Sequence, residues 1–222
     1  MKFFAPLLIV IAFGVVAYVL LRLSLKLSNK LASKRILKSG VRTKDAAMAL
    51  MLAQIEKSKF VDDFNYVIYV DGVRKTAHAD TIIVRKNGIF VVNICPYRGK
   101  LDNEDDLIWR RSAKTRHGII EKTFPSPVVE TKHAVAVVKH LLEKSEIKED
   151  MIHGIVIISR SDADTVYEDE GVYRMLEGIE YIKGFKSQLL FERKECKEIS
   201  SYLNEKSVDP AETEESNSEK RG

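Results

Sequence analysis

The 222-residue chain is poor in the residues that commit a protein to a covalently clamped or metal-clamped scaffold. It has two cysteines, Cys95 and Cys196, far apart in sequence. In a reducing cytoplasmic compartment both are expected as free thiols, with no disulfide. The five histidines show no ligand spacing: His117, His140 and His153 are scattered, which argues against a zinc-finger type of site. The acidic run 102–106 lacks the ordered alternation of an EF-hand and reads as a solvated loop. There is no internal repeat. Neither sign of charge dominates, since 36 basic and 32 acidic residues leave a net charge of +4 and a pI of about 8.9. Such a mild excess does not by itself imply nucleic acid.

Two local absences are more telling. Residues 3–21, FFAPLLIVIAFGVVAYVLL, carry no charge. That length meets the roughly 17–25 residues a helix needs to cross a bilayer. It exceeds the roughly 7–15 residues of a signal-peptide core, and no small-x-small cleavage site follows, so it is expected as a retained anchor. The second absence is of acid: Arg22, Lys26, Lys30, Lys34, Arg35, Lys38, Arg42 and Lys44 precede the first acidic residue, Asp45. By the positive-inside rule this flank stays in the cytoplasm, with the N-terminus outside and the C-terminal domain cytoplasmic. The cluster also offers contacts to anionic headgroups. Leu20, Leu23, Leu27 and Leu31 recur at helical spacing and extend the helix past the membrane. The expected division is an anchor at 1–22, a basic juxtamembrane linker at 23–42 and a folded domain at 43–204. A tail at 205–222, almost without large apolar residues, is expected to be disordered.

Within the domain, 43–56 reads as an alanine- and leucine-rich helix. Residues 64–71 alternate as a strand, and Pro127 opens a helix with apolar residues at helical spacing to about 144. The apolar run 152–159 reads as a strand buried on both faces. Residues 162–184 read as loop with a short strand or helix, and 185–203 as a final helix. The centre is 76–100, TAHADTIIVRKNGIFVVNICPYRGK. Asn87-Gly88 between apolar runs is a strong hairpin signal, and Pro96 ends pairing. By the period of two, His78, Asp80 and Ile82 share one face of the first strand. Val91, Asn93 and Cys95 share one face of the second. A mixed sheet flanked by helices, an α/β fold, follows from this order of elements.

The series His78-Ala79-Asp80-Thr81-Ile82, Gly88-Ile89-Phe90-Val91-Val92-Asn93-Ile94-Cys95, Arg98-Gly99 and Ser126-Pro127-Val128-Val129-Glu130, with Trp109 between, resembles the nuclease-related (NERD) domain. That family is a branch of the PD-(D/E)XK nuclease superfamily. The resemblance covers roughly 40–159 and implies a restriction-endonuclease-like fold with a Mg²⁺-dependent site. In that family an Asp and a Glu hold the metal, and a Lys two residues beyond the Glu positions the attacking water. Asp80 matches the first, Asn93 stands for the Glu, Cys95 for the Lys, and Glu130 for a helix Gln. Mg²⁺ prefers hard, charged oxygens, so these exchanges weaken the site.

Three readings follow: a hydrolytically dead domain that binds nucleic acid or a membrane-associated protein partner; an active nuclease with Glu130 as relocated carboxylate and Lys100 or Lys132 as base; and a borderline-metal site of His78, Asp80 and Cys95. The expected cofactor is accordingly none, or Mg²⁺ if the domain is active. Arg110, Arg111, Lys114, Arg116 and Lys122 form a basic patch that either holds phosphates or is simply solvated.

Overall fold

The computed structural model describes residues 40–70, 73–103, 105, 107–145, 147–165 and 171–208. The chain divides after residue 39. The expected membrane helix and most of the juxtamembrane linker lie outside the described residues. Among the described residues no helix is long and apolar enough to cross a membrane.

The fold is α/β with two mixed sheets, where the sequence suggested one. Helix α1 (Lys44–Gln54) starts at Thr43, whose hydroxyl accepts from the Ala46 N–H, and buries Ala47 and Met51 one turn apart. Strands β1 (Lys59–Val70), β2 (Val73–Arg85) and β3 (Gly88–Cys95) form an antiparallel meander. Strand β7 (Ile152–Ile158) and the short β9 (Val172–Arg174) then add in parallel beside β3. All eight residues of β3 are buried, as its apolar run requires of a strand covered on both faces.

The hairpin turn falls one residue earlier than Asn-Gly pairing predicts. Arg85 pairs with Gly88, so the loop residues are Lys86 and Asn87, and neither has positive φ. Asn87 is there for another reason: its buried amide donates to the carbonyls of Ile182 (3.1 Å) and Phe185 (2.9 Å), closing the end of helix α3 (Met175–Gly184).

Helix α2 (Pro127–Leu142) is capped by Ser126 and begins with proline at its first turn. It buries Thr131, Ala134, Val137, Val138 and Leu142 against β2, β3 and β7. Gly154 on β7 permits this approach, because a Cβ there would lie 3.0 Å from the Thr131 methyl and 3.1 Å from Val135. Helix α4 (Arg193–Lys206) adds Cys196, Ile199 and Leu203 to the same core, with Ile82, Val84, Ile89 and Val91 from the sheet. Each such aliphatic side chain contributes roughly 1.5–3 kcal/mol by burial. On the opposite face Phe90 meets Tyr181 and Phe185. The final helix expected at 185–203 begins only at Arg193, after irregular chain at 185–192, while α3 falls in the stretch 162–184 that was expected as loop with a short strand or helix. Helix α4 continues to Lys206, past the expected start of the tail.

The second sheet runs β6-β5-β4-β8 and was mostly unanticipated. It consists of β4 (Gly99–Asn103), β5 (Ile108–Thr115), β6 (Gly118–Pro125) and β8 (Ala163–Thr165). Of these strands, the sequence suggests only a short one around Trp109, LIWRR at 107–111. Gly99 makes the turn into it at φ +88, where any Cβ would strike the Ser112 carbonyl at 2.2 Å. Leu101, Trp109 and Ala163 from this sheet pack on Cys95, Val156 and Ile158 from the first.

Candidate functional site

Asp80, Asn93, Cys95 and Glu130 line one cleft of about 210 Å³, with Lys44, His78, Tyr97, Phe124 and Pro127 also in its walls. The β2–β3 register places Asp80 and Asn93 on the same face: Thr81 pairs with Val92, and the next step brings the Asp80 N–H to Asn93 Oδ1 at 3.0 Å. Cys95 is two residues beyond Asn93 and so faces the same way. Helix α2 adds Glu130 from its first turn.

The Asp80 side chain is 2% exposed and surrounded by donors. The Ile94 N–H donates to Oδ2 at 2.7 Å, while His78 Nε2 (2.9 Å) and the Lys44 ammonium meet Oδ1. Burial alone would raise its pKa, but the bonds to His78, Lys44 and Ile94 outweigh it and hold the carboxyl below its usual value. His78 is gripped at both ring nitrogens, because Nδ1 lies 3.0 Å from Asn65 Oδ1. Asn65 Nδ2 is committed to the Asp63 carbonyl, which leaves its oxygen facing the ring. Each ring nitrogen of His78 thus faces a side-chain oxygen. The β1–β2 register skips Asp63, the residue opposite Asp80, which adopts a left-handed φ of +50.

Asn93 is as fully engaged as Asp80. Its Oδ1 accepts from Asp80, and its Nδ2 donates to Thr131 Oγ1 (2.9 Å) and the His78 carbonyl (3.4 Å). The Thr131 hydroxyl donates in turn to the Pro127 carbonyl at 2.6 Å. Glu130 differs: its carboxylate accepts no hydrogen bond among the described residues. The protein packed around it raises its pKa; the His78, Lys44 and His133 charges oppose that shift, while the Asp80 charge adds to it.

These residues do not fit a Mg²⁺ ion. That cation wants several free hard oxygens, but both Asp80 oxygens already face donors, and the Asn93 oxygen is taken. No group of three His, Cys, Asp or Glu side chains among the described residues could hold a metal ion. The borderline-metal reading of His78, Asp80 and Cys95 fails for the same reason. Burial also pushes the Cys95 thiol up to about 11, against the Tyr97 N–H and the Arg111 charge, so it is no ready thiolate. The two lysines expected as migrated bases lie elsewhere. Lys100 sits on β4 at 3.6 Å from Asp102, and Lys132 lines a separate groove over β7.

The cation that does reach the cleft is Lys44, counted in the sequence only as a topology charge. No local pattern pairs it with Asp80, because it lies 36 positions upstream with strand β1 in between. Thr131 and Asn65 were missed likewise; Thr131 alone carried a signal, one helical turn beyond Pro127. Alternation divides the expected basic patch. Arg111 and Lys122 pair in register on the face of Trp109 and Phe124, with the Arg111 guanidinium 5.2 Å over the Tyr97 ring. Arg110 and Lys114 take the other face, and Arg110 lies 3.5 Å from Asp102.

Comparison with known proteins gives one family: the nuclease-related domain model matches residues 42–159. No curated protein and no solved structure matches the chain.

Proposed function

The chain belongs to the nuclease-related (NERD) domain family, and from that premise we propose that it is a membrane-anchored, non-hydrolysing member whose cleft binds nucleic acid through side-chain cations. The observation that carries this reading is the Lys44 ammonium on Asp80, a cation fixed where the family's chemistry calls for a metal. Asn93 and Cys95 support it, since neither supplies the charge or base that hydrolysis needs. Arg111 and Lys122, on the cleft side of the second sheet, extend the positive surface along a phosphate backbone. The uncharged run 3–21 and its basic flank would hold the domain at the cytoplasmic face of the membrane. An alkaline carbonate wash should leave the protein in the membrane pellet, and its release would remove the anchor from the proposal.

Full-length protein in detergent micelles should bind a labelled oligonucleotide with steep salt dependence and leave it intact with Mg²⁺ or Mn²⁺. Lys122→Ala should weaken binding and lower the salt slope by about one. A second reading, hydrolysis with Glu130 as relocated carboxylate, is favoured by that group's place in the same cleft. Metal-dependent cleavage lost in both Asp80→Ala and Glu130→Gln would install it. Neither binding nor cleavage would point instead to a protein partner at the membrane.

A further inference from the structure

We infer that the tip of the β5–β6 hairpin is a docking surface for an anionic lipid bilayer, with Ile119 and Ile120 entering the headgroup layer and Lys114 and Arg116 meeting lipid phosphates. Strand β6 is an edge of the second sheet, pairs with β5 alone and is exposed along almost its whole length. At the tip Thr115 pairs with Gly118 across a turn of Arg116 and His117, and the Thr115 hydroxyl donates to the Gly118 carbonyl at 2.9 Å. Gly118 has a φ of +119, and a Cβ there would meet nothing within 4 Å, so the tip stands clear of the domain. Ile119 is 72% exposed and Ile120 43%. Ile119 pairs with Lys114 and Ile120 with Ala113, so one isoleucine lies on each face of the hairpin. Together they form an apolar wedge that packing within the domain does not use.

The charges choose the occupant. Residues 114–122, KTRHGIIEK, carry three basic residues against one acidic, Glu121. Lys114 and Arg116 are exposed and have no acidic partner among the described residues, whereas Arg110 lies 3.5 Å from Asp102. An anionic interface rewards both features at once, the apolar area and the cations beside it. Two other occupants fit less well. Nucleic acid would use the cations but not the isoleucines, and 114–122 hold no Phe, Tyr or Trp to stack on a base. A second copy pairing antiparallel about the middle of β6 would set Glu121 opposite Glu121 or Lys122 opposite Lys122, because directly opposed residues share a face.

The inference rests on the reading of the chain as membrane-held, and its test keeps the two apart. His117→Cys, labelled with an environment-sensitive dye, leaves both isoleucines in place. Cys95 and Cys196 are buried, so the label goes to the tip. Full-length protein is placed in nanodiscs of phosphatidylcholine, with or without phosphatidylserine, and lipid carrying a nitroxide on its acyl chain serves as quencher. Quenching should be stronger by about twofold with phosphatidylserine and should fall with added salt. Ile119→Ser with Ile120→Ser should abolish it, as should Lys114→Glu with Arg116→Glu. All four side chains are exposed, so these variants should melt as the parent does. The same dye at Glu198→Cys, on α4, should stay unquenched. An unquenched tip, equal quenching at Glu198→Cys, or a tip signal that survives loss of the isoleucines would overturn the inference. So would a dye that responds to oligonucleotide in detergent and not to lipid. If the chain does not copurify with the discs, the anchor fails, and quenching by added vesicles of the same two compositions decides the hairpin by itself.

Discussion

The two carboxylates of the cleft sit in opposite situations within one small space. Asp80, on the strand wall, is buried yet surrounded by the Lys44 ammonium, His78 and the Ile94 N–H, and its pKa is lowered. Glu130, on the helix wall, keeps contact with water, yet its pKa is raised because no donor offsets the protein packed around it. Exposure alone would rank them the other way. What decides is whether burial comes with hydrogen-bond donors. The strand wall is therefore a finished, self-satisfied structure, and the helix wall is the part left open to a ligand.

The sharpest way to break the comparison is to empty the strand wall. Asp80→Ala leaves His78, Lys44 and the Ile94 N–H without their shared acceptor. By the usual cost of orphaning a buried charge pair, it should destabilise the domain by about 3–5 kcal/mol. Urea denaturation checks this, and a loss under about 1 kcal/mol would mean that the wall holds without its centre. The same group sets an acid dependence. Its folded pKa lies below the unfolded value, so its contribution is complete above roughly pH 4. It disappears as pH falls through the folded pKa. Asp80→Asn should flatten that part of the acid limb in a series of melting curves.

A smaller loss is expected one bond further out. Thr131→Val removes the acceptor of the Asn93 amide and should cost about 1 kcal/mol. Chemical denaturation should show a lowered midpoint at unchanged slope. Smallest is Glu130→Gln, expected within about 0.5 kcal/mol of wild type at neutral pH, as for most groups in contact with water. Its sign is informative. A carboxyl with raised folded pKa contributes stability below its unfolded pKa and loses it as pH rises through the folded one, opposite to Asp80. Melting curves between about pH 4 and 7 should therefore decline slightly less with rising pH in the glutamine variant. A steeper decline would contradict the open helix wall.

Much of the central sheet was legible because its signals are local. The alternation around Asp80 and Asn93, the stop at Pro96 and the helix start at Pro127 each act within a few residues. The turn was found for a partly wrong reason: Asn87 serves α3 through its side chain, a long-range contact that turn chemistry does not encode. The second sheet was harder to read. Strand β6 (GIIEKTFP) is exposed along almost its whole length, so no buried face imposes a period of two on its sequence. The site divided along the same line. Its strand and helix positions came from spacing and resemblance, while Lys44 and Asn65 were invisible because only the folded chain brings them to Asp80 and His78.

Asn93 ties the walls of the cleft together in a way that its amide alone permits. The amide does two jobs that a carboxylate cannot combine: its oxygen accepts from Asp80, and its nitrogen donates to Thr131 and to the His78 carbonyl. Thr131 has already committed its own proton to Pro127. An acid at position 93 would therefore point lone pairs at two acceptors and meet the Asp80 charge as well. A glutamate at position 93 would thus break the present network, in which the amide is a structural tie among β2, β3 and α2.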